Sequence, residues 1–572
     1  MEQRYQVIIV GGGPVGVALA VELGQRCVSC VLIERHTTPQ RIPKGQNLTN
    51  RSLEHFYFWG AVDELRAARV MPRGYPIGGI TAYGDLMRDH WYIPVGRESY
   101  GAYFFQANER LPQYLTEEVL RARMADFPNV TSIPGWSAET IEQEEQGVRV
   151  TITEENGPGR QVFEAEYVVG CDGPRSTVRE QSGIERDGTD FDQKMALLVF
   201  RSRELHEGLN HLPERTVYRA LSPDFKGAWC FFGRIDVGEG WFFHAPVSRD
   251  ATAEDYDFRG LLQRAAGFEF SVEFDHIGFW ELRVAVANTY RKGRAFIAGD
   301  AAHTHPPYGA YGLNTGLEDV TNLGWKLAAA LEGWGGDSLL DSYSEERRPI
   351  FWETGEDVIA GGIKRDRAFL EQYSPDRDLE EFKQAWKKVE AADSEVNRTY
   401  EPHYEGSSVV MGPPDSVCSI HGSLSLTANA GHHLTPQLLS SGRNVFEELG
   451  AGFTLLAFDA EDSTVKDFEE TAMSLNVPLK VVRDTYEDGR KKPSRAWRSS
   501  DLTNTLPGQG IHRPTTPPDL CRRLRASSEY RFFRNASRPP LSLRQANQQN
   551  AASRRDFYFH FPSVDNHWSA CG

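Results

Sequence analysis

Gln6-Val-Ile-Ile-Val-Gly-Gly-Gly-Pro-Val-Gly16 is an apolar run that breaks on glycines, and its reading decides how the rest of the chain is understood. The run predicts a buried strand that turns at Gly11, lets backbone come close to a pyrophosphate at Gly13, and packs a helix against the strand at Gly16. A second strand, Val31-Leu-Ile-Glu34, ends in an acid about 20 residues after the glycines, where a carboxylate takes ribose hydroxyls. Glycine-rich turns are common in isolation. Set between strand and helix, with the acid in register, these mark a nucleotide-binding unit.

The length, 572 residues, allows two to four domains by usual domain sizes. A net charge of -17 argues against nucleic acid or an anionic membrane as the main partner, because both select basic surfaces. A small-molecule substrate is expected instead. The first apolar run is interrupted by Gly11 to Pro14, so no secretory signal is read, and no apolar run of about 18 residues follows. Seven cysteines show neither a disulfide framework nor a metal-ligand pattern, which suits a reducing compartment and predicts a cytoplasmic protein without a bound metal. Cys27 and Cys30 form a C-x-x-C, read as small packing groups before the second strand.

Further along, the basic loop Arg41-Ile-Pro-Lys-Gly-Gln-Asn47 either approaches a charged cofactor or is plain solvated charge. A helix is expected from Arg51 through Trp59, and another at Gln113-Tyr-Leu-Thr-Glu-Glu-Val-Leu120. Residues 147–153 and 161–170 predict a hairpin that runs into Cys171-Asp-Gly-Pro-Arg-Ser-Thr-Val-Arg179. From 190 to 285, short aromatic-rich runs predict a sheet whose rings form core or cover a flat apolar ligand. Then Arg294-Ala-Phe-Ile-Ala-Gly-Asp300-Ala-Ala-His-Thr-His-Pro-Pro-Tyr-Gly-Ala-Tyr-Gly-Leu-Asn314 reads as a strand, a Pro- and Gly-rich loop, and a long helix starting near Asn314. A helix start exposes unpaired N–H groups and suits an electron-rich cofactor edge.

Gly11, Gly13 and Gly16 with Glu34, then Cys171-Asp-Gly173 with Arg179, then Gly299-Asp300-Ala-Ala-His303 with Pro306, Pro307 and Gly309 to Asn314, occur in that order over about 300 residues. Together they resemble the single-component flavin-dependent aromatic hydroxylases of the para-hydroxybenzoate and phenol hydroxylase type. That resemblance implies an α/β fold, with a Rossmann-like FAD-binding domain interleaved with a β-sheet substrate domain and a thioredoxin-like C-terminal domain. The implied boundaries are 1–185 for the FAD-binding domain, with 75–110 contributing to the substrate domain. Residues 186–288 are the substrate sheet, 289–400 the FAD-binding return with helices, 410–490 the thioredoxin-like domain, and 491–572 an atypical basic tail.

The resemblance also implies roles. Gly11, Gly13 and Gly16 would hold the FAD pyrophosphate, with Glu34 on the adenosine ribose and Arg35 beside the adenosine. Gln113 and Asp300 would reach the ribityl chain. Asp172 belongs to a motif tied to flavin and nicotinamide. Backbone at Gly309, Gly312, Leu313 and Asn314 would face the pyrimidine end of the flavin. NADH or NADPH reduces FAD, and O2 then supplies an electrophilic oxygen to an activated ring. His305, then Tyr308, are the expected proton relay, although His305 reads equally as a satisfied structural group, and the Pro307 carbonyl is the expected acceptor beside the substrate hydroxyl. His303 reads as structural. Ala310 stands where many members have glycine, and Lys44 where many have arginine.

No second nucleotide fingerprint follows residue 185, which favours a hydroxylase over a two-nucleotide reductase. Gly45-Gln-Asn-Leu-Thr-Asn-Arg-Ser-Leu-Glu-His-Phe56 resembles the methylnitrocatechol monooxygenase kind, which implies ring hydroxylation with nitrite release in aromatic catabolism. A flavin epoxidase or reductase of the same fold, or a non-catalytic flavin carrier, are the competing readings. A homodimer is compatible with either. Residues 491–572 carry 14 Lys and Arg against 5 Asp and Glu, and read as irregular, as a functional basic tail, or as a diverged or frame-shifted end.

Overall fold

The first strand, Gln3–Val10, lies in the middle of a sheet, and its residues Val7 to Val10 are almost wholly buried. An unbroken apolar run of this kind fits a parallel strand covered on both faces. The computed structural model describes residues 3–95, 97–225, 229–426, 428–485 and 557–560. Two compact units result: Met1–Gly324, Glu346–His403 and Cys418–Leu424 in the first, and Trp325–Glu345, Tyr404–Val417 and Ser425–Gly572 in the second.

In the first unit, Gln3–Val10 pairs in parallel with Cys30–Glu34 on one side and Arg160–Gly170 on the other, Ile8 facing Val31 and Val168. Val130–Pro134 extends one edge, and Ala295–Ile297 the other, again in parallel. The predicted hairpin is present as Gly147–Glu154 against the first half of Arg160–Gly170. Cys30 is buried in its strand, and burial pushes its thiol up to about 12, so it is a packing group as expected, whereas Cys27 is exposed in the turn before it and does not pack as expected.

A second, seven-stranded sheet draws on two separate stretches of chain. Its order is Glu273–Arg283, Asp190–Arg201, Gly240–Pro246, Trp229–Arg234, Val217–Leu221, Gly79–Tyr83 and Trp91–Tyr92. Alternation along these strands divides the two faces. Trp241, Phe243 and Ala245 pack with Phe232 and the helix Phe258–Ala266, whereas Phe231, Phe242, His244 and Arg219 lie on the opposite side. The aromatic runs therefore serve as core and as cavity wall at alternate positions.

The helix expected near Asn314 starts earlier, spanning Tyr311–Leu331. It begins directly after Gly309 and Ala310, both left-handed at φ 65° and 60°, so the sharp turn sets the start. Asn314 is already inside the first turn. Asp337–Glu353, Gly361–Gln372 and Leu379–Thr399 follow as helices, the first two joined by a π-helical stretch, Thr354–Ala360.

In the second unit, Phe453–Phe458, the helix Asp462–Ser474 and Leu479–Asp484 form a β–α–β with parallel strands. Phe557–His560 adds an antiparallel strand on the other edge, so the segment read as irregular supplies one closing strand; the rest of the basic tail lies outside the described residues. Among the described residues no helix is long and apolar enough to cross a membrane.

Three elements of the first unit are fastened at one buried carboxylate. Asp319 accepts from the Gly299 amide at 3.0 Å, pairs with His303 Nε2 at 2.6 Å, and accepts from Arg347 Nε at 2.8 Å. Burial raises the pKa of this carboxyl, but His303 and Arg347 outweigh it, and the net shift is downward. Asp319→Asn leaves Arg347 buried without its counter-charge and should cost about 3–5 kcal/mol, read as a lowered urea midpoint. The native pKa lies below the unfolded one, so this contribution should be complete above about pH 4 and lost as pH falls further, a decline the Asn variant should lack.

Candidate functional site

The carboxyl ends of the central strands open on a cleft of about 470 Å3. Gly11 sits at φ 103°, and an added Cβ would lie 2.3 Å from the Cys171 carbonyl oxygen. At Gly16 an added Cβ would meet the Gly11 carbonyl oxygen at 1.9 Å. Gly13 differs, since its missing Cβ points into open space on the cleft. The three glycines thus serve turn, packing and approach as their spacing predicts. Gly13 also caps the helix Pro14–Gln25 without any side-chain hydrogen bond, so its first N–H groups are unclaimed by a cap.

Glu34 closes the second strand and accepts from the Gly12 amide at 2.6 Å and the His36 amide at 2.7 Å. Arg35 lines the same cleft. Asp172 faces it too, while accepting from Ser176 Oγ at 2.5 Å and the Val178 amide at 3.2 Å; burial raises its pKa and these bonds oppose the rise. Arg179 ties the turn to the opposite lip, donating to the carbonyls of Pro174 at 3.1 Å and Ala301 at 3.2 Å.

Asp300 is exposed and lines the cleft. The protein around it raises its pKa, with His303, Lys44 and Arg186 pulling the other way. Gln113, at the start of the helix Gln113–Met124, lines the cleft with Glu117 and Arg121, one helical turn apart on one face. Arg121 donates to the Gly12 carbonyl. The i, i+4, i+8 spacing could have revealed this face; only Gln113 was expected from it.

A second cavity of about 410 Å3 lies against the aromatic sheet. Lys44 to Asn47, Pro307 and Ala310 line both cavities, so the two meet at these loops. Gln46 is buried there with both amide atoms unpartnered, a signal that appears only once the fold brings the cavities together. Lys44, left open as cofactor contact or solvated charge, is one of the groups at this junction.

The expected proton-relay residues divide between the cavities. His305 lines the first and not the second, whereas Tyr308 and Gly309 line the second and Pro307 both. His305 Nδ1 donates to the Pro306 carbonyl, leaving Nε2 as a buried acceptor with no partner. Burial lowers its pKa to about 4, so the ring is neutral at neutral pH. Gly312 and Leu313 line the first cavity. Asn314 faces neither. Its amide donates to the carbonyls of Asn47 at 2.8 Å and Ala310 at 2.6 Å, and accepts from the Thr49 amide at 2.9 Å and Ser52 Oγ at 2.6 Å. All its hydrogen-bonding capacity goes into holding the two junction loops together.

Behind Tyr308 is a charged cluster that sequence spacing does not display. Arg219 Nη1 donates to Tyr308 Oη at 2.8 Å and to Asp366 Oδ2 at 3.3 Å, and Tyr92 Oη donates to Asp393 at 2.7 Å. Burial raises the Tyr308 pKa, with Arg219 opposing the rise. Asp366 is pushed up to about 6, by burial first, against the pull of Arg219.

A family profile described as an FAD binding domain matches residues 4–357. The chain belongs to that family. Its cofactor is FAD, and the first cavity fits one: an uncapped helix start, a glycine open to the cleft, an orphaned amide at Gln46 and an acid at Asp300. The chain is 29% identical over 498 residues to a 4-methyl-5-nitrocatechol 5-monooxygenase from a Burkholderia sp, covering 83% of this chain and 86% of the relative. It is 33% identical over 363 residues to a rifampicin monooxygenase from Streptomyces venezuelae, covering 61% and 69%. The chain spans about three fifths of the length of the first curated relatives it matches. Among solved structures, the flavin-dependent monooxygenase PieE, in complex with FAD and substrate, superposes with a TM-score of 0.73 at 25% identity over 84% of this chain and 89% of that one. The expected likeness to flavin-dependent hydroxylases and the expected FAD are thus borne out.

The glycines allow folding and FAD binding to be separated. Gly13→Ala should keep the melting temperature of the apoprotein and lose FAD on gel filtration, because its Cβ occupies only space meant for the cofactor. Gly16→Ala should lower the melting temperature instead, since its Cβ strikes backbone.

Asp366 supplies a pH test. Its native pKa is raised, so its share of stability is complete below about pH 4 and lost as pH rises through 6. The melting temperature relative to Asp366→Asn should fall across that window, and a constant difference would place the titration elsewhere.

Proposed function

We propose that the protein is an FAD-dependent monooxygenase that uses NADH or NADPH and O2 to hydroxylate an activated aromatic ring, a phenol or catechol, with a nitrocatechol that loses nitrite as the narrower candidate. The observation that carries this reading is the meeting of two cavities at Lys44 to Asn47, Pro307 and Ala310: one fits FAD, the other is walled by aromatic strands. The nitrocatechol choice is supported by the Burkholderia relative alone.

FAD, when bound, passes electrons from the nicotinamide to O2 and makes an oxygen atom electrophilic. The chain's part is to hold and exclude. Gly11, Gly13 and the helix start after it would take the pyrophosphate, with Gly16 packing that helix, Glu34 the adenosine ribose, and Arg35 the adenosine side. Gln113 and Asp300 would line the ribityl region, Asp172 would belong to the turn that serves flavin and nicotinamide, and the backbone of Gly312 and Leu313 would meet the electron-rich end, where a helix start stabilises negative charge. His305, neutral and offering Nε2, serves the cofactor side. Pro307 and Tyr308 face the ring. Phe231 and Phe242 keep water from it, which protects a reactive oxygen donor.

The C-terminal β–α–β unit is read as a thioredoxin-like domain with a structural or dimer-forming role, and the enzyme as acting on small aromatics in the cytoplasm. The purified protein should show bound flavin by its absorbance. NADH or NADPH oxidation should then rise at least several-fold with one member of a panel of phenols, catechols and nitrocatechols, with hydroxylated product by mass spectrometry. Nitrite release would select the narrower reading. A flavoprotein whose oxidation of both nicotinamides ignores every aromatic would end the hydroxylase reading in favour of an epoxidase, reductase or carrier.

A further inference from the structure

The aromatic wall of the second cavity contains one polar ring whose hydrogen bonding is incomplete. His244 lies on the strand Gly240–Pro246 and is 4% exposed. It stacks on Phe231, with centroids 5.0 Å apart at 29°, and meets Phe242 edge-on at 5.7 Å. All three line the cavity. The indole N–H of Trp280 donates to His244 Nδ1 at 3.1 Å. An indole nitrogen can only donate, so the Nδ1 lone pair is in use and the neutral ring carries its proton at Nε2. Burial lowers the pKa to about 3, which keeps the ring neutral at working pH. Trp280 is not part of the cavity wall, so the Nδ1 edge backs onto the sheet. The other nitrogen, Nε2, is buried and has no partner.

A buried donor left unpaired is costly, and here everything around the rest of the ring is fixed by packing or by Trp280. Arg219, on the same face, engages Tyr308 and Asp366 through Nη1, while its Nε and Nη2 are buried without a hydrogen-bond partner, so it offers charge to the cavity where His244 offers a neutral donor. Nothing similar engages His244 Nε2.

We propose that His244 is a specificity-determining residue of the substrate cavity, its Nε2–H donating a hydrogen bond to a hydroxyl, phenolate or carbonyl oxygen carried by the aromatic ring that stacks among Phe231 and Phe242. This rests on the reading above that the second cavity takes the aromatic substrate. With one nitrogen occupied and the other protonated, His244 has no lone pair to remove a proton. It orients the ring and selects oxygenated rings over hydrocarbons. Trp280 is a positioning residue, because it fixes which nitrogen bears the proton.

The test uses the FAD-loaded protein and the change in flavin absorbance on adding catechol or 1-naphthol, compared with benzene and naphthalene. The wild type should bind the oxygenated probe more tightly than its parent hydrocarbon. His244→Phe should weaken the oxygenated probe about tenfold and leave the hydrocarbon within twofold, while His244→Gln, which again offers an N–H, should restore part of the loss. Equal affinity of wild type and His244→Phe for the oxygenated probe would overturn the proposal while the hydroxylase reading stood. Failure of every probe to bind would overturn the proposal, while the panel of rates described above decides the hydroxylase reading separately. Nitrogen-15 shifts of labelled histidine, assigned with His244→Gln, read the ring without depending on ligand: an Nε2–H tautomer is expected, and an Nδ1–H tautomer would overturn the proposal even if the Phe variant did not fold.

Discussion

Asp319 is the point on which the loop over the cleft depends. Its carboxylate is wholly buried, and it holds the amide of Gly299, the imidazole of His303 and the guanidinium of Arg347 at once. Gly299 ends the last parallel strand's approach to the cleft, His303 begins the next short strand, and Arg347 belongs to a later helix. Removing any one partner would strand a charge or a polar group in a medium that cannot hydrate it. The arrangement fixes Asp300 between two anchored neighbours, so its carboxylate faces the cofactor cleft rather than choosing among rotamers of a free loop.

Beyond His303 the chain is led to a second fastening. Asn314 spends all four of its hydrogen bonds on Asn47, Thr49, Ser52 and Ala310, so the basic loop and the Pro-Pro loop cannot separate without breaking a satisfied buried amide. These are the same loops that border both cavities. A reaction between a cofactor in one cavity and a ring in the other needs a fixed gap, and errors of an ångström are expensive in rate. In the proposed reaction Asn314 would therefore act as a positioning residue that sets the spacing, its side chain lining neither cavity.

What sequence spacing could and could not show follows from the range of each interaction. Gly11, Gly13, Gly16 and Glu34 were legible as a strand–turn–helix unit because local geometry determines them: Gly11, Gly13 and Glu34 line the cleft, and Gly16 packs against the Gly11 backbone. The helix expected near Asn314 starts three residues earlier because its limit is the left-handed pair Gly309 and Ala310, a backbone feature that spacing does not display. His305 and Tyr308, three residues apart, are the first and second candidates for the same proton-relay role, yet the turn sends them to different cavities. Asp319 with Arg347, Arg219 with Tyr308, and His244 with Trp280 were not legible at all. Each joins residues 28 or more apart in sequence through a fold that local pattern does not specify.

The seven-stranded sheet shows how one pattern can encode two requirements. A strand buried on both faces normally reads as continuous apolar residues, and Gly240-Trp-Phe-Phe-His-Ala-Pro246 does so except at His244. One face needs apolar volume to pack against the helix Phe258–Ala266, and Trp241, Phe243 and Ala245 provide it. The other face needs a wall that is flat and dry yet able to distinguish ligands. Rings at Phe231 and Phe242 give flatness, but an entirely apolar wall would discriminate poorly between an oxygenated ring and its hydrocarbon, since adding a hydroxyl to a hydrophobic site changes little that the site can sense. A single fixed donor changes that, because an unmet buried hydrogen bond separates the two far better than shape does. Gly233 completes the wall: a Cβ there would lie 2.0 Å from the Phe242 ring, so glycine is what lets that ring lie against the sheet beside His244.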